Sequence, residues 1–247
     1  MTNKYLDVKR ADALAMINLH TQEEQPVVDI IMCSMRPELI GRIADNINCQ
    51  KANIGKVIIV PQNYTPAQLM LLETKIKNKQ ELIILNLNND ISLGTKHQLA
   101  HNETTADYVS VMDDDDIYFP NYLKGQLNCL LNVGKPAIVS IANPIGRNEV
   151  TNDIGFLLAD IRYKGIFVGA GGSMVYHREI GELVGFKDVK SGYDNTFQTE
   201  AYNSGYKLIN SLPFNFIVTR GRNDHTWNFT RKTGISFNNI KLEEVEL

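Results

Sequence analysis

Val109-Ser110-Val111-Met112-Asp113-Asp114-Asp115-Asp116 is the segment on which the fold reading turns. A short apolar run passes without a break into four carboxylates. In open α/β sheets, ligands bind beyond the carboxyl ends of the strands. Four adjacent carboxylates repel one another, and a hard divalent cation with oxygen ligands offsets that repulsion. Alternate residues of a turn face one point, which makes Asp113 and Asp115 the expected metal ligands. Mg2+ or Mn2+ held this way keeps coordination positions open for substrate phosphates. The competing reading is a solvated acidic turn ahead of a helix near Pro120, where aspartates suit the helix dipole.

Upstream, residues 27–33, 56–60 and 82–87 are short, nearly continuous runs of Val, Ile and Leu, as is 108–112. Strands covered on both faces read this way. Amphipathic stretches separate them. Residues 37–50 open with Pro37 at a first helical position and carry Leu39, Ile40, Ile43 and Ile47 at helical spacing. Residues 66–78 carry Leu69, Leu72 and Ile76, and Ser92 is placed to cap a helix reaching about residue 102. This alternation predicts a mostly parallel sheet with right-handed crossovers. Downstream, 119–131 reads as a helix, 137–142 and 173–176 as strands, 192–204 as a helix ended by Gly205, and 214–219 as a last strand. Residues 143–165 read as loop. The prediction is an α/β fold whose parallel half is followed by a mixed half.

Composition narrows the function. Of 247 residues, 43% are hydrophobic and 21% charged, which excludes collagen-like and wholly disordered chains. The net charge of −3 gives no global basic field for nucleic acid. Cys33, Cys49 and Cys129 are scattered and form no CxxC pair, so a reducing compartment is expected. The first twenty residues lack the apolar core of a signal peptide, and no apolar run approaches the ~18 residues of a membrane span. These features together predict a cytoplasmic chain without a transmembrane segment.

Several segments, in order, resemble glycosyltransferase family 2, of the GT-A (nucleotide-diphospho-sugar transferase, Rossmann-like) fold. Val28-Asp29-Ile30-Ile31-Met32-Cys33-Ser34-Met35-Arg36-Pro37 resembles that family's opening strand and its T-x-x-R-P turn. Leu93-Gly94-Thr95-Lys96-His97 resembles its L-G-x-K-R helix start. The tetrad followed by Pro120-Asn121-Tyr122-Leu123 resembles its metal motif and P-x-x-L helix. Gly169-Ala170-Gly171-Gly172-Ser173 resembles its glycine-rich acceptor-side strand, and Phe186-Lys187-Asp188 with Gly192-Tyr193-Asp194 its G-F-x-D and E-D segments. The likeness covers roughly residues 27–230. It implies one domain over 1–247, with a nucleotide-sugar half (27–118), an acceptor half (119–235) and peripheral segments (1–26 and 236–247).

The resemblance also implies chemistry. A metal-dependent transferase would move a hexosyl or pentosyl unit from a nucleotide-diphosphate sugar, a UDP-sugar first, to a hydroxyl acceptor. Mn2+ or Mg2+ on Asp115, with Asp113 on the metal or the donor ribose, would stabilise the departing diphosphate. Asp194 matches the family's catalytic base, and a base opposite the leaving group implies inversion. The alternative for Asp194 is a helix-start acid. His225 resembles a late histidine that completes the metal or diphosphate site. Arg220 and Arg222 are expected on the diphosphate. Ser34, Arg36, Asn63, Lys96 and Asp114 are expected on the donor, and Gly171, Gly172 and Trp227 at the acceptor, with a strand bulge and core packing as the alternatives for the glycines and the tryptophan. The second strand ends Val60-Pro61-Gln62-Asn63 rather than in the family's acidic pair for the nucleobase, and His97-Gln98 replaces Arg-Asn.

The acceptor is open among polysaccharide, lipid-linked sugar, protein and hydroxylated DNA base, the last suggested only by the basic stretch 220–232. A haloacid-dehalogenase-type phosphatase would carry Asp-x-Asp-x-Thr/Val near its start, whereas here the fifth position is Ile117 and the strand is the fourth. A nucleotidyltransferase would show a glycine-rich loop after the first strand, and residues 33–37 contain no glycine. A nucleotide-sugar-binding protein without turnover is the non-enzymatic alternative.

Overall fold

The structure is a computed structural model and describes residues 25–87, 91–133, 135–156, 162–163 and 166–221. Strand β1 (Val27–Ser34) leads through a 3-10 turn at Pro37–Leu39 into helix α1 (Ile40–Asn48). Strand β2 (Asn53–Pro61), helix α2 (Pro66–Lys75), strand β3 (Glu81–Ile84), helix α3 (Leu93–Asn102) and strand β4 (Tyr108–Val111) follow. The starts of these helices are built locally. Thr65 and Gln68 form a reciprocal capping box at α2, and Ser92 Oγ accepts the Thr95 N–H at 3.1 Å at α3.

Beyond the acidic tetrad come strand β5 (Ile117–Tyr118), helix α4 (Tyr122–Leu131), strand β6 (Ala137–Ser140), the antiparallel pair β7 (Ile145–Asn148) and β8 (Ile154–Phe156), and the short pair β9 (Arg162–Tyr163) and β10 (Ile166–Phe167). A 3-10 turn at Gly171–Ser173 precedes strand β11 (Val175–His177), helices α5 (Arg178–Val184) and α6 (Tyr193–Asn203), and strands β12 (Lys207–Asn210) and β13 (Phe216–Arg220).

Seven strands form the main sheet in the order β12-β6-β11-β4-β1-β2-β3. Only β11 runs against the rest. Side chains alternate across it as the pleat requires. Val28, Ile30 and Met32 of β1 meet α1, α2 and α4 on one face, while Ile31 joins the core formed with α3, α5 and α6 on the other. One buried charge interrupts this pattern. Asp29 accepts the backbone N–H groups of Lys56, Thr105 and Ala106 at 2.6–2.8 Å, which satisfies the carboxylate where the β1–β2 register slips.

The chain leaves β1 toward β2 on one side and later returns to β4 on the other, so the order reverses at the β1/β4 boundary. Ligand crevices form at such switch points. The tetrad sits there, at the carboxyl end of β4. A second sheet, β5-β13-β7-β8, flanks it. The sequence expectation of loop over 143–165 therefore gives way to the hairpin β7–β8, held through β7 by parallel pairing with β13. Strand β3 also stops at Ile84, and Leu87 makes only an isolated bridge to Gln62.

Candidate active site

The four aspartates diverge as soon as β4 ends. Asp114, Asp115 and Asp116 are buried and Asp113 is partly exposed. Asp114 turns back toward β1. It accepts Ser34 Oγ at 2.5 Å and pairs with Arg36 through Nε at 3.1 Å and through Nη2. Ser34 Oγ also meets Tyr64 Oη at 2.8 Å. Arg36 Nη1 donates to Asp115 Oδ2 at 2.8 Å. Burial works against the Arg36 charge, but the hydrogen bond and charge of Asp114 and then Asp115 outweigh it, so its pKa rises. Asp116 turns to the second sheet, where Oδ1 accepts the Thr219 N–H at 2.9 Å and lies 3.6 Å from Arg220 Nη1. The main chain of Asp115 is pinned as well. Its carbonyl accepts Arg42 Nη1 at 2.6 Å and the Thr219 hydroxyl.

Asp113, Asp115 and Asp116 each bring a carboxylate oxygen within 4.8 Å of the others. That hard-oxygen set suits a divalent cation. Burial, and then the charges of Asp115 and Asp114, push the Asp113 carboxyl up to about 7. Burial likewise drives Asp116 well above the usual carboxylate range, with Asp115 adding to the shift.

The glycine pair explains why Asp113 stays where it is. A β-carbon at Gly172 would lie 2.5 Å from Asp113 Oδ2, and one at Gly171 would lie 2.7 Å from Asp194 Oδ2. The two carboxylates thus occupy the space that side chains at 171 and 172 would fill. Tyr118 Oη ties this turn to the tetrad, accepting the Asp113 N–H at 2.7 Å and donating to the Gly172 carbonyl at 2.6 Å. Asp194 stands in the first turn of α6 and is partly exposed. Burial raises its pKa, while the N–H groups of Asn195, Asp194 itself and Gly171 pull it back.

Two residues to which the sequence assigned no role, Gln198 and His97, hold α6 in place. Gln198, one turn beyond Asp194, accepts the Gly169 N–H at 2.9 Å and donates to its carbonyl at 3.0 Å. His97 stacks on Tyr193 with ring centroids 4.2 Å apart. Helical spacing from Asp194 would have pointed to Gln198; its partner Gly169 opens the glycine-rich segment, but nothing in the sequence paired the two. Gly94 is required because a side chain there would collide with the Lys187 carbonyl, so the segments around 94 and 187 meet.

Of the expected donor contacts, Ser34, Arg36 and Asp114 are engaged with one another. Asn63 is exposed at the end of β2 with φ of 62°, and Lys96 is buried with Nζ on Gln62 Oε1. Arg220 lies at the end of β13 beside Asp116. The expected roles of Arg222, His225 and Trp227 fall outside the described residues.

No protein-family model and no curated protein matches the sequence. Among solved structures, the chain is similar to S. aureus TarS 1–349 in complex with UDP-GlcNAc, at 16% identity and a TM-score of 0.62, over 80% of this chain and 60% of that one. It is also similar to the mannosyltransferase PcManGT of Pyrobaculum calidifontis in complex with GDP-Man and Mn2+, at 15% identity and a TM-score of 0.60, over 87% and 64%. The fold is of the GT-A glycosyltransferase type. The chain spans less than two thirds of the length of either of these structures. Within this GT-A fold Asp113 of the acidic cluster and Asp194 pack against the adjacent Gly172 and Gly171, beyond the carboxyl end of β4 where it pairs with β1. No helix among the described residues is long and apolar enough to cross a membrane.

Proposed function

We propose that the chain is a metal-dependent, inverting glycosyltransferase that moves a sugar from a nucleotide-diphosphate sugar to a hydroxyl acceptor. The observation that carries this reading is the turn at Gly171 and Gly172, against which Asp113 and Asp194 pack from two sides. Sugar transfer needs stabilisation of a leaving diphosphate and removal of the acceptor proton. One side of the turn offers a cation-binding cluster and the other a carboxylate partly open to solvent.

Asp113, Asp115 and Asp116 would hold Mn2+ or Mg2+, with His225 as a further ligand. When bound, that ion supplies Lewis-acid stabilisation of the diphosphate. Arg220 and Arg222 add charge-assisted hydrogen bonds to the same phosphates. Asn63 and Lys96 contact the nucleoside end, whereas Ser34, Arg36 and Asp114 brace the cluster from behind. Asp194 takes the acceptor proton through a carboxylate oxygen, and its raised pKa makes it a stronger base than an ordinary aspartate. Trp227 offers a stacking surface to the acceptor sugar.

The UDP-GlcNAc of TarS and the GDP-Man of PcManGT support a nucleotide-sugar donor here, a UDP-sugar first. The test is a panel of UDP-, GDP- and dTDP-sugars incubated with the chain and Mn2+, monitored for released nucleoside diphosphate and shifted melting temperature. At least one donor should bind and turn over only with the ion present. Absence of both effects across the panel would refute the proposal.

A further inference from the structure

We infer that Arg36 selects which divalent cation the acidic cluster accepts, by leaving Asp115 no more than one oxygen to offer. This rests on the metal reading above. Arg36 follows the end of β1 and enters the 3-10 turn at Pro37–Leu39, so its backbone is set by two elements. Its planar fork spans two carboxylates. Nε and Nη2 hold Asp114, and Nη1 holds Asp115 Oδ2 at 2.8 Å. Asp114 is anchored in turn by Ser34 Oγ, and Ser34 by Tyr64. The guanidinium therefore cannot swing away without breaking a buried network. The main chain of Asp115 is fixed as well, because Arg42 and Thr219 both hold its carbonyl.

The same device recurs at Asp116, whose Oδ1 is held by the Thr219 N–H and faces Arg220. Two of the three cluster carboxylates thus have one oxygen committed to protein donors. Mg2+ demands near-octahedral geometry with few carboxylate oxygens, whereas Ca2+ takes six to eight oxygens and uses bidentate carboxylates. A cluster limited to single oxygens disfavours Ca2+ and suits the smaller ions.

The test uses the whole chain with Mn2+ and UDP or GDP, following bound Mn2+ by its paramagnetic resonance signal while Ca2+ is added as competitor. The double variant Arg36→Met/Asp114→Asn removes the fork and its buried partner together, leaving formal charge unchanged. The Ca2+ needed for half-displacement, scaled to each protein's own Mn2+ affinity, should fall ~10-fold in the variant as Asp115 gains a second oxygen. Arg36→Lys keeps the charge but cannot span both carboxylates, so it should shift the ratio the same way if the double variant does not fold. A ratio within two-fold of the parent, in a folded variant that still binds Mn2+, would overturn the inference and leave the metal site standing. No Mn2+ binding by the parent chain would overturn both.

Discussion

Gly172→Ala should cripple the proposed metal site while leaving the fold intact. The added methyl would lie 2.5 Å from Asp113 Oδ2, 2.7 Å from Cγ and 3.1 Å from Cβ. Non-bonded carbon contacts settle near ~3.5–4.0 Å, with oxygen slightly closer, so the carboxylate must withdraw by roughly 1 Å. The backbone raises no objection, because Gly172 is not among the glycines with positive φ. Alanine at a compatible position even stabilises by ~0.4–1 kcal/mol through the unfolded state. Tyr118 ties the main chain on both sides of the contact, so the displacement falls on the Asp113 side chain. Loss of a group that orients a metal ligand costs ~10–100-fold in metal affinity. Mn2+ titration in the presence of UDP should show that loss, with the melting temperature of the metal-free protein within a few degrees of the parent. Gly171→Ala is the companion, since its methyl would press on Asp194 at 2.7–3.0 Å. It should keep Mn2+ affinity and lose transfer rate. A folded Gly172→Ala protein with parental Mn2+ affinity, or identical defects in both variants, would refute the idea that each glycine makes room for one carboxylate.

Asp194→Asn keeps the shape but cannot accept the proton, so donor affinity, Mn2+ affinity and melting temperature should stay near parental values. Transfer should fall ~10²–10⁴-fold, and a change of only a few-fold would remove Asp194 as base. Asp113 must shed its proton to bind a cation, and burial with Asp115 and Asp114 raises its pKa to about 7. Asp116, raised in the same way by burial and by Asp115, must also shed its proton, so Mn2+ affinity should fall by at least ~10-fold per pH unit as pH drops below about 7, and a flat profile from pH 5 to 8 would contradict the assignment. Arg220→Ala should weaken UDP or GDP binding and spare the nucleoside, as measured by calorimetry; equal losses would indicate loop damage.

The parallel half of the sheet was legible because strands covered on both faces must be apolar throughout. β1, β2 and β4 show this, and the helices between them announce themselves through Pro37, the spacing of Leu69, Leu72 and Ile76, and Ser92. At the edges the signal weakened for the converse reason. β3 was read as a strand but stops early, with no buried residue, and β12, the four-residue run Lys-Leu-Ile-Asn with exposed ends, was not legible. The hairpin β7–β8 owes its place to β13, some seventy residues later, and no local pattern encodes that pairing. α5 was missed because Gly181 weakens its local signal, although that glycine is needed to seat the His101 ring. At the site, the tetrad stood out by charge and position, and Asp194 only through the family resemblance. The division of labour among the four aspartates did not, because it is decided by Arg36, Thr219 and Arg220, which arrive from both ends of the chain.

The glycine pair has a packing role that the sequence did not suggest. From sequence, small residues there suggest room for a sugar. In the fold that room is taken by Asp113 and Asp194. Two acids pressed against one turn would repel each other, and burial already disfavours the charge on both. Such an arrangement contributes little to stability. The buried Arg36–Asp114 pair is no better a stabiliser, since the desolvation of both partners offsets most of their attraction. What these contacts provide is placement. Arg36 limits Asp115, Thr219 limits Asp116, and the glycines fix Asp113 and Asp194 at a set separation across the turn. A surface selected only to be soluble would let four aspartates spread into water. Here three are buried and are held between residues from the two ends of the chain, Ser34 and Arg36 on one side and Thr219 and Arg220 on the other, which is the arrangement expected when the charge is kept for something that binds between them.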